Sequence, residues 1–357
     1  MVSQPGGFGL IPTLPGLVLG LESSCDETCA AVLRGPKVLS SVVATQIEMH
    51  QKWGGVVPEA AARAHLESLL PVIEESLQKA ECALSDLSAI AVTNRPGLVG
   101  ALSVGVTAAK GLSLVLDVPL VGVHHLEGHL LSPFLQADET APIEGDVWPM
   151  VSLIASGGHT ELVWIPEEGD YEIVAETLDD AAGEAFDKGA RLLGLGYPGG
   201  RAIQELAVSG NPKAFSLPRS VAHDPHHFSF SGLKTSVLRQ VEKDPNLNPA
   251  DLAASLQEAV VDSLNSKTIE AAKNRGARSI GLVGGVAANS ALRERMRQSA
   301  AELGMAFYTP EPRFCTDNAA MIGLAGSFRL SRGERDDFAL DVFPNSPLPN
   351  VPGDPRN

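Results

Sequence analysis

Two stretches of the sequence follow the same plan: LVLGLESSCDETCAAVL at residues 17–33 and MVSLIASGGHTELVWI at residues 150–165. Each begins with an apolar run typical of a buried strand, continues through a turn of small and polar residues, and ends in a second strand. A third strand is expected near 38–44 and again near 171–176. The recurrence indicates an internal repeat; the alternative is a chance likeness between two hairpins.

Helix–strand–helix patterns follow each repeated unit, so the predicted fold class is α/β with two duplicated lobes. The first lobe spans 17–135, completed by a helix at 317–335, and the second spans 148–316. Ligands of such sheets bind beyond the carboxyl ends of strands, which predicts a nucleotide or metal cleft between the lobes. Outside the lobes, residues 1–16 are predicted to be a disordered or loosely attached extension, and residues 341–357 a Pro-rich tail.

Composition narrows the class of protein. The chain has 357 residues and is 44% hydrophobic, which is enough for a core and excludes wholesale disorder. Its 27 Lys and Arg against 43 Asp and Glu give a net charge of −16, which is wrong for a chain that binds nucleic acid over its whole surface. The sequence contains no uninterrupted apolar run of 18 residues, so no transmembrane helix is expected. Four cysteines without a C-x-x-C pair favour a reduced, cytoplasmic compartment.

The segment His125-Leu-Glu-Gly-His129 is the sharpest local signal. On a helix, residues four apart share a face, and two such imidazoles are good ligands for zinc or iron. Asp317, at a predicted helix start, is a candidate third ligand. Glu127 lies two residues after His125, about 200° around the helix, which argues against the H-E-x-x-H arrangement of metalloproteases. The alternatives are two surface histidines and an Asp317 that only caps its helix.

Three glycine pairs, at 157–158, 199–200 and 284–285, predict a nucleotide site, because glycine lets backbone N–H groups approach a phosphate. Asn289 follows the third pair and is expected to offer its amide to a base or sugar.

Three further segments each have a functional and a structural interpretation. Acids at 180, 184 and 187 share a helix face that suits a ribose or a cation, or is simply solvated. The segment 228–234 is a lid, an RNA contact or a packed loop. The basic residues of 293–297, with Lys273, Arg275 and Arg278, form an anion patch or the polar face of helices.

Together these segments closely resemble the universal tRNA N6-adenosine threonylcarbamoyltransferase family, called TsaD in bacteria and formerly described as a glycoprotease. The match runs from about residue 17 to 335. It depends on nine blocks: ESSCDET (22–28), GGVVPE (54–59), HHLEGH (124–129), SGGHT (156–160), AGEAFDK (182–188), YPGG (197–200), FSFSGLKT (228–235), GGVAAN (284–289) and CTDN (315–318).

The resemblance implies an actin-like ATPase (RNase H-like) fold. It implies transfer of threonylcarbamoyl from threonylcarbamoyl-AMP to N6 of adenosine 37, in tRNAs that read codons beginning with A. It places one divalent metal, Fe²⁺ or alternatively Zn²⁺, on His125, His129 and Asp317. The implied substrate residues are Ile154, Ala155, Ser156, Gly157, Gly158, Asp187, Gly200 and Asn289. The implied partners are TsaB and TsaE, with TsaC supplying the intermediate, and no membrane is involved.

Two positions depart from the family pattern. Gln204 stands where many members have Asp, which puts a ribose contact in doubt. Arg95 stands where a small residue is usual, and it either helps to bind an anionic substrate or faces water. The group that removes the amine proton is unknown from the sequence; Asp26 and Glu27 are candidates.

Three rival functions remain. A kinase or ATPase of the same fold would also use glycine-rich loops, although Mg–ATP sites favour oxygen ligands over histidines. A metalloprotease is disfavoured by the position of Glu127. A non-catalytic nucleotide-binding scaffold is the third rival.

Overall fold

The computed structural model describes residues 13–53, 55–137, 146–219, 224, 226–244 and 246–349. The chain divides into two compact units. The first unit comprises residues 1–146 with 317–357, and the second comprises residues 147–316. Most of the predicted N-terminal extension (1–12), Gly54 of the GGVVPE block and the end of the Pro-rich tail (350–357) lie outside the described residues.

The strands fall into two sheets. In the first unit they are β1 (Leu17–Glu22), β2 (Glu27–Arg34), β3 (Lys37–Thr45), β4 (Leu87–Arg95), β5 (Leu120–His124) and β6 (Gln136–Ala137). In the second they are β7 (Met150–Ala155), β8 (Thr160–Ile165), β9 (Glu172–Thr177), β10 (His227–Phe228), β11 (Ser279–Val283) and β12 (Ala306–Tyr308).

The helices are α1 (Ile47–Gln51), α2 (Pro58–Lys79), α3 (Val99–Leu116), α4 (His125–Leu131), α5 (Ala182–Leu192), α6 (Gly199–Ala207), α7 (Ser231–Lys243), α8 (Pro249–Arg275), α9 (Ser290–Glu302) and α10 (Ala319–Ser331). By length and composition α3 is apolar enough to cross a membrane, but core helices pass the same test, and α3 packs on β4 and α2.

The two sheets have the same plan. Their strand orders are β5-β4-β1-β2-β3-β6 and β10-β9-β8-β7-β11-β12. In each, three consecutive strands pair antiparallel, and two later strands add in parallel beside the first of the three. The predicted α/β class and the duplicated strand pattern are confirmed.

Close packing in the first unit positions the start of α10. This helix crosses β1, β2 and β4, whereas α2 and α3 pack with the core on the sheet's other side. Gly20 makes the approach feasible, because a Cβ there would lie 2.2 Å from the carbonyl oxygen of Ala319. The first turn of α10 therefore lies directly against β1, and Asp317 comes just before it.

Several elements differ from the prediction. Helices α6 and α7 and the short edge strands β6 and β10 were not expected, and α10 begins at Ala319 rather than at 317.

Residues 341–349 were expected to be part of a tail but pack on the first unit. The carbonyl oxygens of Asp341, Pro344 and Ser346 accept hydrogen bonds from that unit, and Leu348 is only 1% exposed. Proline lacks an N–H group but keeps its carbonyl acceptor, so a Pro-rich segment can still be held in this way.

Candidate metal centre and substrate-binding loops

The two histidines of the first unit sit at a strand–helix junction. Strand β5 is buried along its length and ends at His124, and α4 begins at the next residue. His124 caps the helix: its Nδ1 accepts from Leu126 N at 3.2 Å, so its Nε2 donates to the Ser346 carbonyl at 3.1 Å. One turn apart on α4, the rings of His125 and His129 meet edge to face with centroids 4.8 Å apart.

Asp317 completes this group. The helix cap is made by Asn318, whose Oδ1 accepts from Met321 N at 3.0 Å, so the Asp317 carboxylate is not the cap. Its Oδ1 lies 3.1 Å from His129 Nε2 and 3.4 Å from His125 Nε2. The three candidate ligand atoms all lie within 4.8 Å of one another.

The donor set fits a divalent cation. Ligands at about 2.1 Å from one cation lie roughly 3–3.4 Å apart along the edges of its coordination shell, which matches both histidine–carboxylate separations. The side chain of Asp317 is 27% exposed whereas that of His129 is 1% exposed, so the group opens to solvent on the carboxylate side.

Electrostatic interactions couple the charges of His125 and Asp317. Burial opposes a charge on His125, but the Asp317 and Glu22 carboxylates raise the pKa of His125 well above its usual value. Burial likewise opposes the charge on Asp317, but His125 and His129 hold the pKa of Asp317 well below its usual value. The site is therefore built to hold positive charge, and a cation bound there competes with a proton.

Glu127 takes no part in this group. Its Oε2 accepts from Arg329 Nη1 at 2.9 Å, and the two residues are 3% and 4% exposed. Arg329 also contacts Glu334 at 2.6 Å. Glu127 therefore has a structural role in joining α4 to α10, and the geometry does not support a metalloprotease.

Both candidate bases lie just after β1: Asp26 in the turn and Glu27 as the first residue of β2. Burial and the neighbouring Asp26 raise the pKa of Glu27 to about 9. His65 holds this turn by two hydrogen bonds. Its Nε2 donates to the Cys25 carbonyl at 3.0 Å, and the Nδ1 of His65 accepts from the Thr28 hydroxyl at 2.7 Å.

The thiols beside that turn are not activated. Burial and nearby carboxylates raise the pKa of both Cys25 and Cys29, which keeps them protonated at neutral pH.

The second unit brings the first and third glycine pairs together. The turn after β7 is closed by Ser156, whose N donates to the His159 carbonyl at 2.8 Å. Gly183 N at the start of α5 donates to the Ser156 carbonyl at 3.1 Å, and a Cβ on Gly183 would lie 2.6 Å from that oxygen. Gly284, after β11, has φ +89° and would place a Cβ 2.5 Å from the Ala155 carbonyl.

The second glycine pair begins a helix rather than following a strand. Gly199 N donates to Asp187 Oδ1 at 2.7 Å, which ties α5 to the start of α6 beside Gly200. Burial raises the pKa of Asp187, against the opposing effects of that hydrogen bond and Arg191.

The amide of Asn289 is already engaged. Its Oδ1 accepts from Leu292 N as the cap of α9, and its Nδ2 donates to Gln257 Oε1 at 2.9 Å. Gln204 fixes the next residue, because its Oε1 accepts from Ser290 N at 2.7 Å. Asn289 and Gln204 therefore shape the loop that follows β11.

Most of the remaining charged candidates have partners. Asp180 and Glu184 both contact Lys188, so they do not form an open acidic face. Asp179 ties down the 228–234 segment by accepting from Ser229, Phe230 and Ser231, which favours a packed segment.

Three of the six basic residues form ion pairs. These join Arg275 to Glu172, Arg295 to Glu258 and Asp262, and Arg297 to Glu294. The pairing favours the polar face of helices over an anion patch. Arg95 is 1% exposed at the end of β4, so the expectation that it faces water is wrong.

The sequence reasoning missed Glu22. Its carboxylate contacts His125 Nδ1 at 3.0 Å and accepts from Thr93 Oγ1 at 2.6 Å. The available signal was a lone acid at the end of an otherwise apolar strand.

Comparisons of sequence agree with these motifs. A family model described as TsaD, tRNA N6-adenosine threonylcarbamoyltransferase, matches residues 37–324. A protein of that name from Symbiobacterium thermophilum is 52% identical over 333 residues, covering 92% of this chain and 96% of the relative. A protein of the same name from Syntrophotalea carbinolica is 50% identical over 338 residues, covering 93% and 97%.

Comparisons of structure show the fold alone. HypF from T. kodakarensis superposes with a TM-score of 0.57 at 15% identity, covering 92% of this chain and 50% of that one. Component A of the (R)-2-hydroxyglutaryl-CoA dehydratase of Acidaminococcus fermentans superposes with a TM-score of 0.51 at 16% identity, covering 88% and 99%. These neighbours have the actin-like ATPase fold.

Proposed function

Because the chain belongs to the tRNA N6-adenosine threonylcarbamoyltransferase family, we propose that it transfers threonylcarbamoyl from threonylcarbamoyl-AMP to N6 of adenosine 37 in tRNAs reading codons that begin with A. The observation that carries the proposal within this chain is the group of His125, His129 and Asp317, a donor set that suits a divalent cation.

The reaction is an acyl transfer from an activated donor. The N6 amine attacks the carbamoyl carbon, the bond from that carbon to the phosphate oxygen breaks, AMP leaves with the electron pair, and one N6 proton is lost. Positioning of the two reactants supplies much of the acceleration. Asp26 and Glu27 are the candidates for taking the proton, and the raised pKa of Glu27 favours the neutral form of that carboxyl.

The loops of the second unit are proposed to hold the donor through Ile154–Gly158, Asp187, Gly200 and Asn289. Backbone N–H groups stabilise negative charge that develops in a transition state. The N–H group of Ser156 already donates to the His159 carbonyl. The N–H groups proposed to stabilise this charge are therefore those of Gly157 and Gly158. Asn289 is proposed to act by shaping its loop, since both ends of its amide are bonded.

Iron is the proposed metal. Two imidazoles and one carboxylate are the donor set of non-haem Fe²⁺ sites, and Zn²⁺ accepts the same donors. A divalent cation bound there would supply Lewis acidity toward the phosphate of the donor.

The tRNA is proposed to dock on a surface shared with TsaB and TsaE, with TsaC supplying the intermediate. The net charge of −16 and the paired arginines of α8 and α9 support a shared surface. Tight, salt-independent binding of tRNA by the isolated chain would contradict this. The four cysteines are free thiols, which supports a cytoplasmic location.

Reconstitution tests the function. The chain is combined with TsaB, TsaC, TsaE, tRNA, labelled threonine, bicarbonate and ATP, and modified adenosine is measured after nuclease digestion. We expect His129→Ala to lose the product and His226→Ala, an exposed histidine of the second unit, to retain it. Full product from His129→Ala would contradict the metal-dependent transferase.

A further inference from the structure

We propose that Glu22 is a positioning residue for the metal centre, which fixes the ring of His125 in the one tautomer that can bind a cation through Nε2. This inference rests on the proposed function for the identity of the metal group. It assigns a role to a residue that lies outside the three ligands.

Glu22 is an unusual residue for its place. It is the last residue of β1, whose six residues are all buried, and it is itself 1% exposed. A buried carboxylate is costly unless hydrogen bonds compensate for the lost water. Oε1 accepts from Ser24 N at 2.5 Å, and Oε2 accepts from the Thr93 hydroxyl at 2.6 Å. The carboxylate is therefore held from two sides.

The remaining contact of Glu22 is with the metal group. Oε2 lies 3.0 Å from Nδ1 of His125. Because an ionised carboxylate only accepts hydrogen bonds, Nδ1 carries the proton and donates it. In a neutral imidazole this leaves the lone pair on Nε2, and Nε2 is the nitrogen that lies 3.4 Å from Asp317 Oδ1. The Ser24 hydroxyl oxygen also lies 3.3 Å from Nδ1, but the contact with the Glu22 carboxylate is shorter and requires the proton on Nδ1. Glu22 therefore determines which nitrogen of His125 is free to coordinate.

His129 lacks such a support. Its Nδ1 is buried and has no hydrogen-bond partner within the part of the chain that the structure describes. The two candidate ligands are therefore unequal: among the described residues a carboxylate holds Nδ1 of His125, whereas the side-chain hydrogen bond of His129 is to Asp317 through Nε2. Partners that orient a ligating imidazole typically contribute about 10–100-fold to metal affinity.

The test measures metal affinity of the full chain without any turnover. Zn²⁺ is the probe, in competition with a chromophoric chelator. Glu22→Gln keeps the size of the side chain but presents an amide, whose NH₂ group favours a proton on Nε2 of His125 instead. We expect the Kd for Zn²⁺ to rise about 10–100-fold. The absorption spectrum of the Co²⁺-substituted protein is also expected to change.

Glu127→Gln is the matched control. Glu127 is another buried carboxylate, on α4 itself, but it pairs with Arg329 rather than with a ligand. We expect Glu127→Gln to reduce stability and leave the Kd for Zn²⁺ within about twofold. A folded Glu22→Gln protein with unchanged affinity would overturn the proposal, as would equal losses of affinity in both variants.

Thr93→Val keeps the proposal testable if Glu22→Gln does not fold. The valine is isosteric and removes one of the two hydrogen bonds that hold the carboxylate, so we expect a Kd increase of about 2–5-fold. An unchanged Kd in a folded Thr93→Val protein would count against the role of Glu22. Wild-type protein that binds Zn²⁺ with unimpaired affinity but forms no modified adenosine together with its partner proteins would instead contradict the proposed function, so the two failures are distinguishable.

Discussion

Breaking the buried ion pair between Glu127 and Arg329 should destabilise the fold more than breaking any surface ion pair of the first unit. Glu127→Gln removes the charge but keeps one acceptor oxygen, while Arg329 retains Glu334 through its Nη2 at 2.6 Å. Breaking a buried pair costs about 3–5 kcal/mol, because the remaining charge stays buried. With Glu334 still in place, we expect the lower end, about 3 kcal/mol. That is a factor of about 150 in the unfolding equilibrium at 25 °C.

Urea unfolding followed by circular dichroism measures this loss, provided that the slope of the transition is unchanged. Glu334→Gln is the control, because Glu334 contacts the same guanidinium but is 38% exposed, and exposed pairs contribute about 0–1 kcal/mol. If Glu127→Gln loses no more stability than Glu334→Gln, the reasoning from burial is refuted. Retention of the zinc affinity shows that the effect is on folding rather than on the ligands.

Three further outcomes are expected. Leu348→Ala should lower the free energy of unfolding by about 2–5 kcal/mol because the Leu348 side chain is 1% exposed. Phe338→Ala is the control and should lower it far less, because Phe338 is 52% exposed. Equal losses in the two variants would contradict the packing of the C-terminal segment. Gly183→Ala should weaken binding of threonylcarbamoyl-AMP, measured calorimetrically, because its Cβ would collide with the Ser156 carbonyl; unchanged affinity would separate this loop from the substrate. Burial opposes ionisation of Asp179, but the hydrogen bonds that its carboxylate accepts lower the pKa of Asp179 in the folded protein. The ionised side chain therefore stabilises the fold at pH values above its pKa in the unfolded chain, and this stabilisation is lost as the pH falls through its pKa in the folded protein. Asp179→Asn should therefore be less stable than wild type at pH 7 and converge with it in acid; a pH-independent difference in unfolding midpoint would contradict this.

Much of the fold was predictable because its signals are local. The apolar runs at 17–21 and 150–154 are buried strands, and the turn after each has the predicted position. The short edge strands were missed because two residues carry no periodicity, and α6 because it begins with two glycines. Partners of the C-terminal segment lie more than 200 residues away along the chain, and no local pattern announces such contacts.

The candidate metal ligands were predictable in part for the same reason. The four-residue spacing of His125 and His129 is a local property of a helix, and both residues do lie on α4. The role of Glu22 was not predictable, since it depends on β4 lying beside β1 and on the order of strands that brings His125 nearby. The basic run at 293–297 was ambiguous because both acidic partners of Arg295 lie on α8, a different helix.

The most direct test of the central claim is a metal titration of the transfer reaction. Chelator-treated protein is supplied anaerobically with Fe²⁺ in steps, and modified adenosine is measured at each step with the partner proteins present. The account predicts no product at the start, a linear rise, and a break at one metal per chain that disappears in Asp317→Asn. Full product from the metal-free chain would contradict it.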